Sequence, residues 1–127
     1  ASRTGSVSLI GSTVTGCSAG FAGGVVYAVY QGFASGAVLI IRSTVTGCSA
    51  GEGGATFTDA IDLSVIDSTI SGCNATQGGA VYVETGSASL ARSNISNCIS
   101  TESGGGLYSA GGRTSLSNGT LISGCSA

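Results

Sequence analysis

Lysine, histidine, proline, methionine and tryptophan are all missing from these 127 residues, and charged residues make up only 8%. An ordinary soluble domain carries about 25%. Four arginines and a net charge of −2 cannot neutralise a row of phosphates, so nucleic acid is excluded as a partner. With no histidine and no Cys-x-x-Cys pair, a metal centre has no recognisable ligand set, and no metal or cofactor is expected. No stretch approaches the ~18 consecutive apolar residues that a membrane-crossing helix needs, and the longest aliphatic block, Ala37-Val-Leu-Ile-Ile41, has the length of a strand. Regular apolar patterning argues against disorder. A helix is disfavoured as well, because glycine fills 23 positions and the apolar residues alternate instead of recurring every three or four.

One phrase occurs five times: Ser12-Thr-Val-Thr-Gly-Cys17, Ser43-Thr-Val-Thr-Gly-Cys48, Ser68-Thr-Ile-Ser-Gly-Cys73, Ser93-Asn-Ile-Ser-Asn-Cys98 and Thr120-Leu-Ile-Ser-Gly-Cys125. The cysteines stand 31, 25, 25 and 27 residues apart. After each of the first four comes a Gly-Gly and a short apolar or aromatic run: Gly24-Val-Val-Tyr27, Gly54-Ala-Thr-Phe57, Gly79-Ala-Val-Tyr82 and Gly105-Gly-Leu-Tyr108. A period of this size marks a solenoid, a propeller or an array. Three short strands per ~25 residues with no helical segment suit an all-β, right-handed parallel β-helix of about five rungs. A single domain over 1–127 is expected, with units at about 7–24, 25–54, 55–79, 80–105 and 106–127. The segment Tyr30–Gly36 reads as an insertion that lengthens the first spacing. Two extra residues in the fourth unit, one between Ile99 and Ser103 and one near Asn118, are expected in turns.

Aligning the units gives slots. Val14, Val45, Ile70, Ile95 and Ile122 fill one, and Leu9, Ile40, Val65, Leu90 and Leu116 fill another. Both read as inward aliphatic ladders. Arg42, Asp67 and Arg92 share a slot and would alternate in charge. Tyr27, Phe57, Tyr82 and Tyr108 share another. Residue parity turns these rings outward, as a candidate binding strip of the kind that stacks on sugars.

Cys17, Cys48, Cys73, Cys98 and Cys125 fall in one slot, either as small apolar residues inside a corner or bridged between neighbouring rungs, where Cα separations near 4.8 Å would permit a disulfide. Three sequons, Asn74-Ala-Thr76, Asn94-Ile-Ser96 and Asn118-Gly-Thr120, would accept glycans if the chain passes a secretory pathway. Thr13, Thr15, Thr44, Thr46 and Thr69 lie outward of the first ladder and offer an alternative reading as an ice-binding face. Asp59 and Glu84 share a slot as well. Carboxylate pairs hydrolyse glycosidic bonds, but the other acids are scattered and no basic partner accompanies them, so an enzyme is not expected. The glycine pairs sit in no strand–loop–helix context and read as corner residues, not as a phosphate loop.

The stretch Ile70-Ser-Gly-Cys73-Asn-Ala-Thr-Gln-Gly-Gly-Ala-Val-Tyr82 resembles the repeat of the polymorphic outer-membrane protein family, which pairs a Gly-Gly-Ala-Ile motif with a Phe-x-x-Asn motif. Gly78-Gly-Ala-Val81 and Gly53-Gly-Ala-Thr56 match the first. In the second, Val or Ile replaces Phe and Cys replaces Asn, as in Val45-Thr-Gly-Cys48. The resemblance implies a right-handed parallel β-helix displayed outside the cell, often adhesive, and it brings no catalytic residues. Enzymes that cleave pectic polymers share this fold type. The expectation is a secreted or cell-surface structural or adhesive module, with a carbohydrate-binding or carbohydrate-processing β-helix as an alternative. Its partners would be a glycan or other cell-surface ligand, further sequence continuing the rod, or copies stacked through uncapped rungs. The chain begins without methionine and shows no signal peptide, so a processed product or a fragment is expected.

Overall fold

A computed structural model describes residues 6–29, 36–111 and 113–127. The segment expected as an insertion lies, apart from Gly36, outside the described residues. Within them there are sixteen strands, numbered here in chain order, and no helix.

The first face of the solenoid stacks β1 (Val7–Ile10), β4 (Ala37–Ile41), β7 (Asp62–Ile66), β11 (Ser87–Ala91) and β15 (Arg113–Ser117). The second stacks β2 (Thr13–Thr15), β5 (Thr44–Thr46), β8 (Thr69–Ser71), β12 (Asn94–Ser96) and β16 (Leu121–Ser123). The third holds β3 (Val26–Val29), β6 (Thr56–Asp59), β10 (Val81–Val83) and β14 (Leu107–Ser109). Every pairing is parallel and joins a strand to its equivalent one rung along. The fold is therefore the expected all-β parallel solenoid. Its rung count falls short of five complete turns, because the third face is only four strands deep. The strand count per rung also differs: β9 (Asn74–Gln77) and β13 (Ile99–Ser103) form a fourth, two-stranded sheet. The extra residue between Ile99 and Ser103 is absorbed by a register shift against Ala75 and Gln77.

Both aliphatic ladders are in register. Val14, Val45, Ile70, Ile95 and Ile122 pair successively, as do Leu9, Ile40, Val65, Leu90 and Leu116. Ile40, Val45, Val65, Ile70, Leu90 and Ile95 are wholly buried in one continuous core with Val38, Leu63 and Val81, whereas Leu116, expected inward, is 49% exposed on the last strand of its face. Fully burying each such side chain is worth roughly 1.5–3 kcal/mol.

The corners explain the punctuation of the repeat. Between the first and second faces, one column of residues adopts positive φ: Gly11, Arg42, Asp67, Arg92 and Asn118. The second corner uses Gly16, Gly47, Gly72, Asn97 and Gly124 in the same way. The two halves of each Gly-Gly pair do different jobs. Gly53 has φ +59°, and a Cβ there would run into the carbonyl of Thr56. Gly54 has ordinary φ, but a Cβ would strike the backbone carbonyl of Gly79 in the adjacent rung. The equivalents Gly24, Gly79 and Gly105 are blocked by Gly54, Gly105 and Ser126. The pair therefore supplies one left-handed turn and one point of closest rung-to-rung approach.

The serine that opens each phrase has a structural role that the sequence did not disclose. The Ser43 hydroxyl accepts the Ser12 N–H (3.2 Å), Ser68 accepts Ser43 N–H (3.1 Å), Ser93 accepts Ser68 N–H (3.2 Å) and Thr120 accepts Ser93 N–H (3.4 Å). The same hydroxyls lie within donating distance of a carbonyl in the preceding rung, on Leu9, Ile40, Val65 and Leu90. Ser43, Ser68 and Ser93 are 2–4% exposed, so each is a buried clip that satisfies a corner N–H which the sheets leave free.

Candidate functional site

The candidate residues form three columns on different parts of the solenoid. The five cysteines line the corner after the second face. Cys48, Cys73 and Cys98 are fully buried, Cys17 and Cys125 half-buried, and all five are free thiols. In the structure they stand as a ladder of thiols, one per rung. Each thiol lies within reach of the carbonyl two residues earlier, at 3.3–3.8 Å. Burial pushes the Cys48 and Cys125 thiols up. Cys73 is raised by its hydrogen bond with Cys98 and then by burial. Among the described residues, no group of three or more cysteines and acids is disposed to hold a metal ion.

The aromatic column sits on the third face, opposite in parity to Val26, Val81 and Val83, which enter the main core. It forms a separate cluster of Phe57 and Tyr82, flanked by Ala22, Tyr27 and Tyr108. The rings stack on one another: Tyr27–Phe57 at 5.3 Å and 20°, Phe57–Tyr82 at 5.1 Å and 14°, Tyr82–Tyr108 at 4.9 Å and 33°. Phe57 and Tyr82 are only 3% and 7% exposed. The ring faces that a sugar would use are taken by neighbouring rings, so the column does not present the open strip pictured from the sequence. Each stacked pair is worth about 0.5–1.5 kcal/mol beyond area burial, which makes this a second, outer core.

Carboxylates surround that column. Burial and then the nearby Glu84 raise the Glu52 carboxyl above its usual range. Burial, followed by Glu52 and Glu84, raises the Tyr82 phenol. Most other acids are tied to a neighbouring rung. Asp59 accepts from the Thr85 hydroxyl (2.8 Å), Asp62 from Ser87 N–H (3.0 Å) and Glu102 from the Gln77 amide (2.8 Å). Asp67 takes both guanidinium contacts of Arg92 (2.6 and 3.1 Å), which hold its carboxyl below the ordinary range. This bond belongs to the expected charge ladder. Both side chains are about half exposed, at 53% and 40%, so solvent screens the pair and it adds little to stability.

The third column is the outer row of the second face. Thr13, Thr44, Thr69, Asn94 and Leu121 are paired in register, as are Thr15, Thr46, Ser71, Ser96 and Ser123. The second of these rows carries a hydroxyl on all five rungs; the first changes to an amide and then to leucine. The sequons differ in setting. Asn74 and Asn118 are exposed, on β9 and on a turn, whereas Asn94 is half-buried on β12 with its amide oxygen covered and unpartnered.

A shallow trough on the fourth side had no signal in the sequence reading. It runs over Gly20 and Gly51 and is walled by Phe21, Glu52, Thr76, Gln77 and Glu102. Comparison with known proteins finds no match: no family model fits the chain, and no curated protein or solved structure is significantly similar to it.

Proposed function

We propose that this chain is a non-enzymatic, extracellular structural or adhesive module whose work is done by the rows of side chains on its outer faces. The observation that carries this reading is the register of the second face. It sets hydroxyl and amide groups at one-rung intervals, about 4.8 Å, along the length of a stiff scaffold. Many identical weak contacts at fixed spacing give avidity without a deep pocket. The exposed sequon asparagine at position 118 agrees with a glycosylated protein of the cell exterior. A further rung added at either end, from continuing sequence or from a second copy, would lengthen the rows and multiply the contacts.

The test is retention under flow of beads coated with the chain on the surface of intact producing cells, against beads coated with chain unfolded and blocked. Retention that depends on the folded chain supports the reading. Equal retention of both kinds of bead, or turnover of a polysaccharide by the chain, would end it.

A further inference from the structure

The adhesive reading leaves the ligand open, and the trough on the fourth side supplies one; the inference rests on that reading. Two cavities of about 360 and 280 Å³ adjoin along Gly20, Gly51 and Thr76 and together make up the trough. It extends from Gly20 in the first rung to Thr101 and Glu102 in the fourth. Three rung steps make it roughly 14 Å long.

Its floor is bare for a structural reason. A Cβ at Gly51 would run into the Phe21 carbonyl, so no side chain can stand there, and Gly20 has nothing within 4 Å of where its Cβ would be. Its rim carries the outward Asn74 and Thr76 and the hydrogen-bonded pair Gln77–Glu102. Glu52 stands on the same wall. At one end lies Phe21, 70% exposed, and among the described residues no other aromatic ring is so open. An exposed ring beside amides, hydroxyls and carboxylate acceptors suits a ligand that is apolar on its C–H face and rich in hydroxyls at its edge. That combination is a sugar. The trough is shallow and elongated along the axis, which fits a polymer chain better than an enclosed small molecule. The carboxylates of Glu52 and Glu102 repel a polyanion. We propose that the trough binds a neutral, hydroxyl-rich polysaccharide laid along the solenoid axis, with Phe21 as its stacking platform.

The test titrates the full chain calorimetrically with short oligosaccharides of cellulose, mannan, xylan and laminarin, and with oligogalacturonate as the anionic arm. The expected result is binding of at least one neutral oligosaccharide and none of the anionic one. Phe21→Ala weakens that binding roughly tenfold, and Ser89→Ala, an exposed residue of β11 on the first face, leaves it unchanged. The Phe21 ring is mostly exposed, so its removal spares the fold. Absence of neutral binding, preference for the anion, or an unaffected Phe21→Ala variant overturns the proposal. In the bead assay, a Phe21→Ala chain that still adheres fully would sink the trough alone. Loss of adhesion by the unmodified chain would sink the parent reading.

Discussion

Replacing Ser68 by alanine tests whether the corner serines hold the rungs together. The Ser68 hydroxyl accepts the Ser43 N–H at 3.1 Å and sits 2.8 Å from the Ile66 carbonyl and 3.2 Å from that of Ile40. Ser43 is 2% exposed and Ser68 4%, so no water can replace the lost oxygen. The Ile66 carbonyl keeps its bond from Arg42 N–H, at 2.9 Å. The orphan is therefore the Ser43 N–H, and leaving one buried donor unsatisfied costs about 1–3 kcal/mol. Removing a buried hydroxyl returns part of its desolvation energy, so the expected loss lies near 2 kcal/mol. Thr69→Ala, one residue away on the outer row, is the control and should fall within ~0.5 kcal/mol of the parent. Urea unfolding followed by far-ultraviolet circular dichroism measures both variants, with an unchanged m-value as the sign that only stability has moved. A Ser68→Ala loss no larger than that of Thr69→Ala would refute the clip.

Gly54→Ala drives a Cβ into the Gly79 carbonyl of the next rung and is expected to cost about 3 kcal/mol or more. Gly16→Ala meets no neighbour and bears only the ~1–2 kcal/mol of a left-handed φ, so melting temperatures should separate the two variants clearly. Thr56 is fully buried between Val26 and Val81 with an unpartnered hydroxyl, so Thr56→Val should raise stability by about 1 kcal/mol in the same urea assay. Thiol titration should find five free thiols per denatured chain, and in the native state the half-buried Cys17 and Cys125 should react well before the other three. Fewer than five would restore the bridged alternative.

Much of this fold is legible in the sequence because a parallel solenoid turns sequence period directly into spatial register. Val14 meets Val45, and Tyr82 meets Phe57, simply because their units align. Side-chain parity also told which way the aromatic column points. It could not tell that the rings would close over one another, because stacking depends on inter-rung distance and ring tilt, and neither is written in a pattern of apolar and polar letters. The corner serines escaped for a related reason. A serine before Thr-Val-Thr reads as one more polar residue at a turn, and only the three-dimensional corner shows that it receives an N–H from the rung before. The trough escaped because it depends on the absence of a side chain at Gly20, and because its one ring, Phe21, occurs in a single unit. Register was readable; what a repeated side chain touches, and features that occur once, were not.

The central claim is that the chain works outside the cell as a displayed module. Immunogold electron microscopy of intact, unpermeabilised producing cells, with antibody raised against this chain, tests it most directly. The account predicts dense label on the outer surface or on material extending from it, unchanged by permeabilisation. Label that appears only after the cells are opened would contradict it.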